Sequence, residues 1–218
     1  MPDFSILTNN IDMYLEGFKY TVMSSLIALI GSFILGVILA VMRIAPIRIL
    51  NWIGSAFVEF VRNIPLVLIA FIFYFALPVI GITLNGFVAG TVTLTVYTAA
   101  FIAEVIRAGI LSVAKGQMEA ARSSGLTYVQ AMYYVVLPQA VKIVIPPLGN
   151  QFLNLVKNSS ILGIIAGADL MYQGDLISTK TFVTFDVYIF VGMFYLILTI
   201  PLSMLVRYLE KRLAKEAV

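Results

Sequence analysis

A chain of 218 residues with 61% hydrophobic and only 11% charged side chains cannot cover itself with polar groups as a soluble domain does, and its mean hydropathy of +1.01 points to the bilayer as solvent. Cysteine and histidine are both absent, which excludes a disulfide framework, Cys/His zinc sites and Cys–His or Ser–His nucleophilic chemistry in this chain. The balance of 14 Lys and Arg against 11 Asp and Glu suits positively charged cytoplasmic loops, not a nucleic-acid surface.

Residues 1–19 carry Asp3, Asp12, Glu16 and Lys19, net negative where a secretory signal begins positive, so no cleaved leader is expected there. A membrane helix needs roughly 20 apolar residues. The 23 uncharged residues between Lys19 and Arg43 predict a first span over 19–43. The 41 between Arg62 and Glu104 are too many for one helix, and Leu77-Pro78, Gly81 and Asn85-Gly86 divide them into spans at 60–81 and 86–111. Between Lys142 and Lys157 lie only 14 uncharged residues, and 11 more separate Lys157 from Asp169. Neither piece spans alone, so they are read as one helix over 134–170, interrupted near 157–160 by Lys157-Asn158-Ser159-Ser160. Non-helical backbone is tolerated at membrane depth only where it is buried in protein or lines a wet cavity, so this segment should face a partner or a path. The 20 uncharged residues from Val187 to Val206 predict a last span over 183–207.

In this alternation Arg43, Arg48, Arg62, Arg107, Lys115, Arg122, Lys142 and the basic residues of the C-terminal tail fall on one side, against Lys19 and Lys180 on the other. The positive-inside rule then puts the N-terminus outside and the C-terminus inside.

The longest polar stretch, Gly116 to Pro138, reads "GQMEAARSSGLTYVQAMYYVVLP" and falls on the inner side. Ala120, Ala121 and Ser124 make a small-residue face, and Glu119 and Arg122 are spaced to pair at i,i+3. Gly125 stands at a helix C′ position with apolar Leu126 after it, and Thr127-Tyr128-Val129-Gln130 has capping-box spacing. Two short helices meeting at a glycine corner are predicted, as an ordinary loop packed on its own protein or as a docking element.

The spacing Glu119-Ala120-Ala121, Gly125, Val135, Leu137-Pro138 resembles the EAA motif (E-A-A-x3-G-x9-I-x-L-P) of ABC-importer permeases, with valine in place of isoleucine. "RNIPLVLIAFIFYFALP" (Arg62 to Pro78) resembles the R-G-T-P-L-L start of a helix in the polar amino acid branch. "YTAAFIAEVIRAGI" (Tyr97 to Ile110) resembles its A-E-x-x-R-G-G-I helix, with Ala108 for one glycine, and "LPQAVKIVIPPLGNQFLNLVKNSSIL" its L-P-Q-A segment. The resemblance implies an all-α integral membrane protein of five transmembrane helices, the MetI/MalF-like architecture of a type I importer permease, in a prokaryotic inner or plasma membrane. It further implies that the stretch 115–126 is a coupling helix seated on the ATPase through Gly116, Glu119, Ala120, Ala121, Gly125 and Leu126. The partners implied are two copies of an ATP-binding cassette ATPase, a second permease copy or close sister chain, and an extracytoplasmic amino-acid-binding protein. No G-x-x-x-x-G-K-[ST] run is present, so no cofactor is expected in this chain, with ATP and Mg on the ATPase.

Alternating access places substrate near the midplane, against a discontinuous helix. Asn154, Lys157, Asn158, Ser159 and Ser160 are the polar candidates there, with Asp169 near the outer end and the structural reading, bonds to neighbouring helices or capping of the break, left open. Glu104 is an intramembrane acid, but Arg107 one turn along is spaced to neutralise it; Asp169 has no such neighbour and is the better candidate for a substrate ammonium. Tyr172, Asp175 and Asp186 lie outside and are candidates for contact with a binding protein, while Gly86/Gly90 and Gly163/Gly167 suggest close packing within the chain. A polar amino acid is the substrate the resemblance implies; the two acids favour a basic one (arginine, lysine, histidine), with a glutamine or glutamate carrier as the alternative. An ion-gradient-driven secondary transporter is the competing class, while an integral membrane enzyme would lack paired carboxylates, His and Cys.

Overall fold

The structure, a computed structural model, describes residues 3–215, whose regular elements are all helices. A short α1 (Phe4–Asn9), capped by Asp3, leads into α2 (Ile11–Ile44), a helix of 34 residues. The buried side of α2 carries small and polar residues, among them Gly17, Thr21, Ser24, Ala28, Ser32 and Gly36. Its exposed side carries Leu26, Ile30, Ile34, Ile38 and Val41. Small residues inward and large apolar ones outward is the pattern of a helix whose outer solvent is lipid, since close approach of helices and not burial of bulk apolar surface drives association there. The partner of that inward face is α5 (Gly86–Ser112), opened by Asn85, whose side chain accepts from the Val88 N–H at 2.9 Å.

Between them the chain enters the stretch predicted as a span over 60–81 through a sharp bend. It forms α3 (Arg48–Arg62), turns through 105° at Asn63-Ile64-Pro65, and continues as α4 (Leu66–Phe71), a π-turn (Ile72–Ala76) and a 3-10 turn (Leu77–Ile80). Pro65 supplies the bend, because it cannot donate to a continuing helix and keeps Ile64 out of the helical region. After α5 come α6 (Lys115–Ser123), α7 (Tyr128–Ala131), a second π-turn (Met132–Val136) and α8 (Leu137–Asn158). Both π-turns end just before a Leu-Pro pair, at Pro78 and Pro138. A proline ring clashes with the carbonyl four residues back, here Tyr74 and Tyr134, and a widened turn moves that carbonyl aside without ending the helix.

At Asn158 the helix tightens into a 3-10 stretch (Ser159–Ile165), and the chain reverses through Ala166 and Ala168, both at positive φ, into α9 (Leu170–Thr181) and α10 (Phe185–Lys215). The helix α9, in what reads from sequence as an outer connection, was not foreseen. Among the described residues four helical stretches are long and apolar enough to cross a membrane, Ile11–Ile44, Gly86–Ser112, Tyr128–Ile165 and Phe185–Arg212, and the bent α3–α4 pair makes up to five. The 3-10 stretch packs on the start of α5: a Cβ at Gly86 would collide with the Ile165 carbonyl, and one at Gly90 with the Leu162 side chain. The Gly86/Gly90 spacing thus serves packing within the chain.

Candidate functional site

Three polar features stand out from this apolar frame. The first is a recess of about 260 Å³ between α5 and α8, lined by Tyr97, Thr98, Phe101, Gln151, Asn154, Leu155 and Asn158. Gln151, Asn154 and Asn158 follow at i, i+3 and i+7, so one face of α8 aims three amide side chains at the aromatic face of α5. Asn154 is exposed on the surface of the chain. A polar side chain at membrane depth is costly against lipid, so this face belongs against protein or a water-filled path. No charged side chain lines the recess.

The second feature lies just along α5, beyond Phe101. Glu104 accepts from Arg107 Nη2 at 2.7 Å, as the i,i+3 spacing predicts, and also from Arg43 Nη1 of α2 at 2.5 Å. Arg62 of α3 approaches the same carboxylate at 3.5 Å, and Glu59 pairs with Arg43 at 3.3 Å. Arg43 is itself buried, and its carbonyl accepts from the Asn51 side chain. Two carboxylates and three guanidiniums therefore pin α2, α3 and α5 together, and the Arg62 guanidinium lies 5.5 Å from the centre of the Phe101 ring. The charge partners from α2 and α3 are 61 and 42 positions from Glu104 in sequence, beyond what helical spacing signals.

The third feature is the polar corner. Leu126 N–H donates to the Ala121 carbonyl at 3.2 Å and Gly125 N–H to Arg122 at 3.0 Å, a complete Schellman closure with Gly125 at φ 88°. The next helix opens with a full capping box: Thr127 Oγ1 accepts from Gln130 N–H at 3.3 Å, and Gln130 Oε1 accepts from Thr127 N–H at 2.8 Å. Arg122 donates to the Leu126 carbonyl at 2.9 Å, and among the described residues no ion pair joins it to Glu119. Ala121 turns inward, while Gly116, Glu119, Ala120 and Gly125 are exposed and Leu126 is half-buried. Only part of the small-residue face is thus open to a partner.

The remaining substrate candidates from the sequence lie elsewhere. Ser159 is fully buried and its hydroxyl donates to the Val156 carbonyl at 2.8 Å. Ser160 faces a separate open groove with Lys157, Met171, Tyr188 and Tyr195. Asp169, expected to lack a partner, is fully buried as the N-cap of α9, accepting from Met171 N–H at 3.2 Å and Tyr172 N–H at 3.1 Å. The two acids that favoured a basic substrate are thus both engaged by the fold, and the recess offers no free carboxylate. Sequence reasoning missed Tyr97, Thr98, Phe101 and Gln151, although the i, i+3, i+7 amide spacing on α8 could have flagged the face that Gln151 shares.

A polar seam inside a lipid-facing frame, with a rigid corner outside it, defines a translocation subunit. Residues 15–215 match the family model described as "binding-protein-dependent transport system inner membrane component", and the chain belongs to that family. It is 69% identical over 211 residues, covering 97% of this chain and 98% of the relative, to the "probable glutamine ABC transporter permease protein GlnM" of Bacillus subtilis (strain 168). Identity to the "glutamine transport system permease protein GlnP" of Escherichia coli (strain K12) is 34%, over 97% of each chain. Among solved structures, a crystal structure of an amino acid ABC transporter with histidines superposes with a TM-score of 0.91 at 34% identity, over 97% of this chain and 99% of that one. An inward-facing structure of the MetNI methionine ABC transporter gives a TM-score of 0.65 at 25% identity, over 91% of this chain and 95% of that one. The protein is therefore the membrane permease of an amino acid ABC importer, an all-α type I importer subunit of the inner membrane, and not an enzyme. Its family implies an ATPase and a binding protein as partners. The two sequence relatives are named for glutamine, and neither name supports a specificity for basic amino acids.

Proposed function

We propose that this permease carries glutamine, or a closely similar neutral polar amino acid, through the recess between α5 and α8. The observation that carries this reading is the lining: amides from Gln151, Asn154 and Asn158 with Tyr97, Thr98 and Phe101, and no charged side chain. Amides and hydroxyls both donate and accept, which suits a side-chain amide better than a cation. The names of the bacterial glutamine relatives support the same substrate. Asn154 and Asn158 are assigned to the path, whereas Ser159, Asp169 and Glu104 hold its frame. The amide face of α8 meets its counterpart in a second copy or sister chain, and two ATPase copies seat on α6 through Glu119, Ala120 and the Gly125 corner. With the N-terminus outside and α6 in the cytoplasm, a binding protein delivers substrate to the outer side.

The solved transporter with histidines makes histidine a second candidate. Uptake of labelled glutamine into vesicles holding the assembled importer, competed by each of the twenty amino acids, separates them. Glutamine should compete most strongly; stronger competition by arginine, lysine or histidine overturns the glutamine assignment. Uptake that persists without ATP and follows an imposed ion gradient overturns the coupling.

A further inference from the structure

The helix α3 has three flanks: one packs inward, one is polar and tied to α2 and α5 at Asn51, Glu59 and Arg62, and one is apolar and open. Leu50, Gly54, Val58 and Val61 pack inward, with Gly54, Val58 and Val61 buried. Ile49, Ile53, Ala56 and Phe60 follow at i, i+4, i+7 and i+11 on a second flank, with Ile49 70% and Phe60 64% exposed. Arg48, Asn51, Ser55, Glu59 and Arg62 follow at i, i+3, i+7, i+11 and i+14 on a third. Trp52, 73% exposed and the chain's one tryptophan, stands at the border of the last two flanks. The 105° bend at Pro65 sets α3 across the direction of α4.

Such a helix fits one environment. We propose that α3 lies in the plane of the membrane at the cytoplasmic leaflet, a lipid-bound strut with Ile49, Ile53 and Phe60 among the acyl chains. Its polar flank faces water, and Trp52 and Arg48 lie at the headgroups. An indole at the border of apolar and polar flanks belongs at that level. Arg48 stands in the first turn, where the helix dipole disfavours a cation, and no ion pair joins it to a carboxylate among the described residues. An anionic headgroup is the partner that position suits, on the side where the basic residues collect. The helix it packs on at Gly54, α2, likewise leaves apolar Ile38 and Val41 exposed, as a lipid solvent requires. Through Glu59 and Arg62 the strut reaches Arg43 and Glu104, and so the α5 helix that leads to the corner.

The chain has no cysteine, so single nitroxides report it cleanly in the assembled importer, with the unsubstituted complex labelled in parallel as background. In phosphatidylcholine vesicles containing phosphatidylglycerol, Ile49→Cys, Ile53→Cys and Phe60→Cys labels should show an oxygen-to-nickel-chelate accessibility ratio several-fold above that of Ser55→Cys. Equal ratios on the two flanks, as in water, overturn the proposal. So does an apolar flank closed to both reagents, which would mean that a second copy or the ATPase covers it. Brominated lipid should quench Trp52 in the native chain, read as the difference from Trp52→Phe; no difference overturns the placement without altering the apolar flank. Removing phosphatidylglycerol should lower the ratio at Ile53→Cys, and Arg48→Gln should abolish that dependence. A ratio indifferent to phosphatidylglycerol overturns the headgroup contact.

Discussion

The chain breaks a helix twice around polar residues, at Gly125 and at Asn158–Ser159, and the two breaks are built from different materials. At Gly125 the bonds that close the corner all lie within six residues: the Schellman closure, the capping box and the Arg122 donor are local. At Ser159 the helix narrows to 3-10, and the restart at α9 is held by Asp169 and by Thr21, whose hydroxyl accepts the Leu170 N–H at 3.0 Å from 149 positions away. Water near the corner tolerates an imperfect turn, so local caps suffice there. Inside the protein an unpaired N–H costs its full desolvation, so the break is tied to distant elements.

The comparison can be broken at either end. Asp169→Leu strips two half-buried N–H groups of their fully buried acceptor and should destabilise the permease by about 3 kcal/mol, read as a lowered midpoint in thermal unfolding of the purified complex. Asp169→Asn should recover most of that loss; an Asp169→Leu protein of native stability would mean that the buried cap of α9 is dispensable. Glu104→Gln leaves three arginines facing one carboxylate and should cost about 2 kcal/mol, less than a fully buried pair because the site is partly open. Gly125→Leu forces a side chain into left-handed backbone at about 1.5 kcal/mol, confined to the corner. The expected reading is intact membrane insertion with weaker ATPase binding or ATP hydrolysis uncoupled from uptake; native affinity and native coupled uptake would count against docking there. Thr127→Ala removes the capping-box acceptor for about 1 kcal/mol and should appear only as faster hydrogen exchange over 127–131.

How far each feature could be read from sequence follows the same division. The corner was legible because Gly125, Leu126, Thr127 and Gln130 carry its whole stereochemistry within a few positions. The Glu104–Arg107 pair was legible from i,i+3 spacing, but Arg43 and Arg62 were not, because they arrive on other helices. The bend at Asn63-Ile64-Pro65 inside the segment 60–81 was not legible, because hydropathy counts apolar residues along a stretch and not the direction the chain takes. The partners of Asp169 were missed for the opposite reason. They are backbone N–H groups two and three residues ahead, visible only once α9 is known to be a helix. The 3-10 stretch and α9 lack the strong periodicity that announces a helix, and they form where packing on α2 and α5 holds them.

By itself the sequence determined the solvent, the family, the absence of a phosphate-binding loop and the water-facing corner, because hydropathy, motif spacing and capping act over a few residues. Tertiary structure alone decided which acids are spent on the fold, which amides of α8 meet the aromatic face of α5, and that α3 turns aside from its neighbour. Those outcomes depend on which helices approach each other, and that is set by small residues such as Gly36, Gly86 and Gly90, whose partners lie far along the chain.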